Sequence, residues 1–105
     1  MTRLESLEKL HAAEPDDADV RYMIAAEHAK AGAHDKAVEW YTKCLDTDPD
    51  YHYAAYHMAR SLESLGDIAA AMGVLTTGLA RARKAADAKA AGEIEAYLES
   101  LTGAP

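Results

Sequence analysis

This chain of 105 residues lacks several residue types that strands and cross-linked folds require. It contains no phenylalanine, and valine and isoleucine occur only three times each. Because aromatic and β-branched residues favour strands, their scarcity argues against a sheet. The single cysteine, Cys44, excludes an intramolecular disulfide framework and a multi-cysteine zinc site. These absences point away from β-rich and cysteine-stabilised folds.

Long apolar runs are also absent. No segment approaches the roughly 20 apolar residues that a membrane-spanning helix needs. Charged residues stand close to the N-terminus, at Arg3 and Glu5, where a secretory signal would carry an apolar core. The chain is therefore expected to be a cytoplasmic protein with no membrane partner.

Positive charge is in deficit, because 11 basic residues face 18 acidic ones and the formal net charge is -7. This balance disfavours a nucleic-acid partner and favours a partner that is neutral to basic. Leucine, isoleucine and valine together supply 16 residues, whereas alanine supplies 24. Alanine is the strongest helix former and lets helices approach closely. The composition therefore predicts one small all-helical domain.

Chain breakers and helical periodicity divide the sequence into about six helices. Thr2 and Glu5 form a capping-box pattern ahead of the first helix. Pro15 and Pro49 interrupt the helical pattern, and Gly32 ends the second helix. The predicted helices span residues 3–13, 18–31, 35–47, 51–65, 68–85 and 87–101.

Equivalent residues recur at a fixed spacing. Gly66 follows Gly32 by 34 residues, and Pro49 follows Pro15 by the same number. A constant period in this range indicates stacked supersecondary units, each of which is here a helical hairpin. The same spacing joins Tyr22 to Tyr56, Ala25 to Ala59, Ala37 to Ala71 and Leu45 to Leu79.

The repeated pattern resembles the tetratricopeptide repeat family. That family's motif has a small residue on the first helix, a glycine at the turn, an alanine and an aromatic residue on the second helix, and a closing proline. Arg21 and Ala55 stand where many repeats carry tryptophan, and Arg83 replaces the second closing proline, which fits a longer fifth helix. The matching residues are Ile24, Ala25, Gly32, Ala37, Tyr41, Cys44, Leu45 and Pro49, then Met58, Ala59, Gly66, Ala71, Leu75, Gly78 and Leu79.

The resemblance implies a right-handed superhelical stack of helical hairpins, an all-α solenoid in which residues 1–105 form a single domain. Residues 18–51 and 52–85 are expected to form two full repeats. Residues 3–15 are expected to form an N-terminal half-repeat and residues 87–101 a capping helix. Such terminal units are needed because each hairpin leaves apolar surface that only a neighbour can cover.

By the same resemblance, the chain is expected to be a non-catalytic scaffold that binds a partner peptide or helix on its concave face. The first helices of the repeats line that face, and Tyr22 and Tyr56 are expected to lie side by side there. Tyrosines beside an arginine are typical of interface hot spots, but the same rings could instead pack against neighbouring helices. The predicted binding residues are Asp19, Tyr22, Lys30, Tyr53, Tyr56, His57, Arg60 and Glu63.

One well-known function of the family is not expected here. Its best-known peptide grooves grip a C-terminal carboxylate with lysine, asparagine and arginine. This chain has no asparagine, and Tyr22 and Ala26 stand where a lysine and an asparagine would be needed. Only Arg60 matches that pattern.

No catalytic residue, metal site or cofactor is expected. His52 and His57 are five residues apart and do not share a helix face. Cys44 occupies a position for a small apolar residue, so it is expected to be buried rather than reactive. Neither glycine-rich phosphate-binding motif occurs.

Two alternatives stay open. The protein could be a structural subunit that associates into a homo-oligomer, which would add stability to a small fold. The basic run of Arg81, Arg83 and Lys84 could either complement a helix dipole or dock an acidic partner.

Overall fold

The computed structural model describes residues 1–103, which fold into six α-helices and no strands. Each helix packs against the next along the chain. The predicted all-α stack of helical hairpins is therefore confirmed. The helices are α1 (Arg3–Ala13), α2 (Ala18–Lys30), α3 (His34–Thr47), α4 (His52–Ser64), α5 (Ile68–Lys84) and α6 (Ala88–Thr102).

Side chains cap four of the helix N-termini. The Glu5 backbone N–H donates to Thr2 Oγ1 and the Thr2 backbone N–H donates to Glu5 Oε1, both at 3.1 Å, so the predicted capping box is present. Asp17, Asp67 and Asp87 accept backbone N–H groups in the first turns of α2, α5 and α6. These bonds satisfy backbone donors that a helix leaves without an internal partner.

The two hairpin turns use the glycines that the 34-residue spacing relates. Gly32 follows α2 with a φ of 81°, and Gly66 follows α4 with a φ of 82°. Residues with a Cβ rarely adopt this left-handed conformation, whereas glycine adopts it freely. The matched angles explain why the same residue type recurs at both turns.

Small residues allow the hairpins to close. Ala25, Ala37, Ala59 and Ala71 are all fully buried where helices meet. Around the first pair lie the large side chain of Tyr41 and the thiol of Cys44, and around the second lie Leu75, Leu79 and Ile94. Such interiors are packed densely, so a larger residue at any of the four alanines would displace its neighbours.

The two ends of the stack are covered unequally. At the C-terminal end, α5 is 17 residues long against 14 for α3, as the missing proline predicted. Ala90 and Ile94 of α6 bury themselves against this long helix. At the N-terminal end, Leu7 of α1 is buried, but Leu10 remains 51% exposed.

Candidate functional site

A cleft of about 390 Å³ lies between α2 and α4, the first helices of the two hairpins. We call it the inner cleft. Its walls carry more polar than apolar groups, and two residues of α3 close its floor. The residues that line it are Tyr22, Ala26, Ala29, Lys30, His34, Tyr41, His57, Arg60, Ser61, Glu63 and Ser64.

Tyr22 forms one wall of the inner cleft, next to Tyr41 of the floor, and Tyr51 stacks on Tyr22 from outside the lining. The rings of Tyr22 and Tyr51 stack with centroids 5.0 Å apart and planes inclined by 20°, and Tyr41 lies 5.8 Å from Tyr22. The Tyr51 hydroxyl donates to Asp19 Oδ1 at 2.8 Å. Burial raises the pKa of Tyr22, and it raises that of Tyr51 further together with the Asp19 bond. The Tyr22 phenol is therefore neutral at neutral pH and its hydroxyl is available to a ligand, whereas the Tyr51 hydroxyl is already bound to Asp19 and Tyr41 is buried.

Within residues 1–103, Tyr22 and Tyr56 make their ring contacts with other side chains rather than with each other. The His57 ring packs against both of them, 6.1 Å from Tyr22 and 5.3 Å from Tyr56. Tyr56 also packs against Tyr97 of α6, at 5.1 Å. Tyr56 therefore packs against the neighbouring helix α6, whereas Tyr22 packs against Tyr51 and His57 and also lines the inner cleft.

The other wall carries charge. Arg60 is exposed on α4 and Lys30 is exposed at the end of α2. Glu63 is also there, and its Oε1 accepts a hydrogen bond from the Tyr97 hydroxyl at 2.6 Å. Burial, and then the nearby Arg60 guanidinium, lower the pKa of His57. His57 is therefore neutral at pH 7, and the net charge of this wall is positive.

Five of the eight predicted binding residues line this one cleft: Tyr22, Lys30, His57, Arg60 and Glu63. The other three do not. Asp19 is held by Tyr51, Tyr56 faces Tyr97, and Tyr53 is 39% exposed outside the lining.

Sequence reasoning missed Tyr51, His34 and Ser61. His34 Nδ1 and Ser61 Oγ lie 3.1 Å apart and join α3 to α4 below the cleft. None of the three had a counterpart of the same type at the 34-residue spacing, so no repeat signal marked them.

A second concavity lies between α3 and α5, and we call it the outer groove. Its volume is about 660 Å³ and its lining is largely apolar. Arg81 stands at its rim, and its Nη1 binds Asp50 Oδ1 at 3.1 Å. Of the basic run, Arg83 is also paired, with Glu95 of α6. The groove is lined by Thr42, Leu45, Asp46, Pro49, Ala55, Met58, Ala70, Gly73, Val74, Thr77, Gly78 and Arg81.

Cys44 is fully buried, as predicted. Burial, and then the charge of Asp48, raise the pKa of its thiol to about 12, so the nucleophilic thiolate does not form at neutral pH. Across residues 1–103, no three His, Cys, Asp or Glu side chains are grouped so that they could hold a metal ion. Within the same residues, no helix is long and apolar enough to cross a membrane.

Stacked helical hairpins with a cleft between their first helices define a helical-repeat protein of the kind that generally serves protein interaction. Comparison with known families agrees, because the tetratricopeptide repeat profile matches residues 28–92. A TPR repeat-containing protein of Pseudomonas aeruginosa is 30% identical over 98 residues, which are 93% of each chain. The chain belongs to the tetratricopeptide repeat family.

Solved structures show the same fold. A protein from Bordetella parapertussis, solved in solution, is 27% identical with a TM-score of 0.83, and the match covers 97% of this chain and 89% of that one. PcrH, solved in complex with the chaperone binding region of PopD, is 22% identical with a TM-score of 0.88. That match covers 95% of this chain and 76% of PcrH.

Proposed function

We propose that this protein is a non-catalytic interaction module that holds a segment of a partner protein in the inner cleft. The observation that carries the proposal is the cleft itself, where Tyr22 and Lys30 of α2, Tyr41 of α3 and Arg60 of α4 converge. Aromatic rings and arginine are the residue types that contribute most energy at protein interfaces. The complex of PcrH with a region of PopD supports the proposal, because it shows a chain of this fold holding part of another protein.

The dimensions of the cleft suit a short extended segment. Tyr22 and Lys30 are eight residues apart on α2, so the cleft follows this helix for about 12 Å. An extended chain covers about 3.3 Å per residue, so three or four partner residues lie along it. The Tyr22 hydroxyl and the Ser64 hydroxyl can bond the partner backbone, and the Tyr22 ring can cover an apolar side chain.

A steric block tests the proposal. A library of random dodecapeptides, displayed with fixed flanking residues, is selected against the wild-type chain, and the strongest peptide is synthesised with a fluorescent label. Ala26 lines the cleft and lies outside the buried core. Ala26→Trp is expected to fill the cleft and reduce peptide affinity at least tenfold. Ala80→Trp, at an exposed position of α5, is the control and should bind as wild type does.

Two results would contradict this function. Equal binding by wild type and Ala26→Trp, with both variants folded by circular dichroism, would put the peptide elsewhere. Failure to enrich any peptide, together with a concentration-dependent mass in sedimentation, would favour a self-associating structural subunit.

A further inference from the structure

Arg60 differs from every other arginine in the chain. Arg3 pairs with Glu27, Arg81 with Asp50 and Arg83 with Glu95, while Arg21 binds Thr47 and lies 3.9 Å from Asp16. Arg60 has no hydrogen bond or ion pair with any part of residues 1–103. Although the chain has 18 carboxylate side chains, none of those in the described residues pairs with Arg60, and Arg60 lines the inner cleft.

A second cation stands in the same cleft. Lys30, at the end of α2, lines the cleft and likewise makes no hydrogen bond or ion pair within the described chain. The only carboxylate in the lining is Glu63, and it already accepts the Tyr97 hydroxyl at 2.6 Å. The cleft therefore reverses the sign of a protein whose net charge is -7.

The positive field of Arg60 reaches other groups. Burial lowers the pKa of His57 and the Arg60 guanidinium lowers it further; on Tyr41 and Tyr97 burial raises the pKa and the guanidinium opposes that larger effect. A partly enclosed cleft screens charge less than open water does, so a bound anion would be attracted more strongly there than on the outer surface.

From these observations we infer that the inner cleft selects a partner segment with an acidic side chain, aspartate or glutamate, seated between Arg60 and Lys30. The inference rests on the proposed function. Arginine and lysine donors form charge-assisted hydrogen bonds with a carboxylate, which are stronger than neutral ones. The remaining partner residues are neutral to basic, because a protein with a net charge of -7 repels further carboxylates.

The acidic group belongs to a side chain within the segment rather than to a chain terminus. The tyrosines lie at one end of the cleft and Lys30 about 12 Å further along α2. A partner segment that contacts both Tyr22 and Lys30 must extend along the whole cleft. Its acidic side chain then lies three or four residues from the apolar side chain that contacts Tyr22. The chain also has neither asparagine nor glutamine, so no side-chain amide is present to hold a terminal peptide unit.

Matched peptides test this choice. The strongest peptide from the dodecapeptide selection is made with both ends blocked, once with its acidic residue and once with the corresponding amide. Fluorescence anisotropy is expected to show about tenfold weaker binding of the amide peptide to the wild-type chain. The double variant Lys30→Gln, Arg60→Gln should bind both peptides equally. Lys36→Gln, Lys84→Gln makes the same change in charge at exposed positions outside the cleft and should keep the tenfold difference.

The outcomes separate this inference from the proposed function. Peptides that bind, are blocked by Ala26→Trp and show no preference for acid would overturn the inference and leave the function standing. A peptide library with free C-termini that is enriched only through the terminal carboxylate would overturn the assignment to a side chain. If Ala26→Trp does not affect peptide binding, both the inference and the proposed function are contradicted. The double variant should fold, because both side chains are exposed and make no hydrogen bond or ion pair within residues 1–103.

Discussion

The inner cleft and the outer groove differ in volume and in whether their charged side chains are already paired. The outer groove is larger, about 660 Å³ against about 390 Å³, and mostly apolar. Its cation, Arg81, is already paired with Asp50, whereas Arg60 and Lys30 of the inner cleft have no partner in the described chain. Convergent polar and charged groups fix the orientation of a ligand and give specificity, whereas apolar surface supplies mainly affinity. The smaller concavity is therefore the better candidate for recognition.

Both concavities depend on the spacing between α3 and its neighbours, which small residues set. Ala37 is fully buried in the same cluster as Ala25 and Ala54. Ala37→Leu should overpack this contact and lower the free energy of unfolding by about 1–3 kcal/mol, measured by urea denaturation. Ala80→Leu, at an exposed position, should stay within about 0.5 kcal/mol of wild type. Equal stability of the two variants would mean that the packing described here is wrong.

The ring of Tyr51, which stacks on Tyr22 of the inner cleft, is held in place by a hydrogen bond to Asp19. Tyr51→Phe removes the hydroxyl that binds Asp19 and should cost about 1 kcal/mol of unfolding free energy. Tyr53→Phe makes the same chemical change at an exposed ring with no such bond and should have almost no effect. The melting temperatures of the two variants, measured under the same conditions, test this expectation. A larger loss of stability in Tyr53→Phe than in Tyr51→Phe would contradict it.

If recognition lies in the inner cleft, a substitution that narrows the outer groove should not reduce peptide affinity. Gly73 is in the middle of α5 and lines the groove, and an added Cβ would meet no atom within 4 Å. Gly73→Ala should raise the free energy of unfolding by about 0.5–1 kcal/mol, because alanine costs less entropy in a helix. Peptide affinity should not change. A loss of affinity with intact folding would move recognition to the outer groove.

His57 should make the inner cleft sensitive to pH. Its pKa in the folded chain is lowered, so the unfolded chain binds the proton more readily. The stabilisation is therefore complete above the ordinary histidine pKa of about 6.5 and is lost as the pH falls below it. Between pH 7.5 and 5.5, wild type should lose more unfolding free energy than His57→Gln. Identical pH dependence in the two proteins would show that His57 is not perturbed in this way.

The helices and turns could be predicted from the sequence because the repeat strongly constrains the residue type at single positions. The glycines at 32 and 66 need left-handed backbone, and the alanines at 25, 37, 59 and 71 need close helix contacts, so each type recurs at the same spacing. A mismatch at any of them would cost stability directly. Such positions can be recognised from residue type and spacing alone.

The ring contacts of the inner cleft could not be predicted in the same way. Which ring meets which depends on side-chain torsions and on small differences in helix spacing. Tyr51 precedes α4 at a position that the repeat pairs with Asp17, and nothing in that pairing indicates a stack on Tyr22. The bond between Glu63 and Tyr97 depends on α6, which follows a longer α5 and departs from the 34-residue period.

The most direct test of the account is to map the bound peptide on the protein. Uniformly ¹⁵N-labelled wild-type chain is titrated with the selected dodecapeptide, and the backbone amide shifts are followed by NMR. The largest shifts are expected at Tyr22, Lys30 and Arg60, which line the inner cleft. Large shifts confined to Leu45, Val74 and Arg81, which line the outer groove, would contradict the central claim.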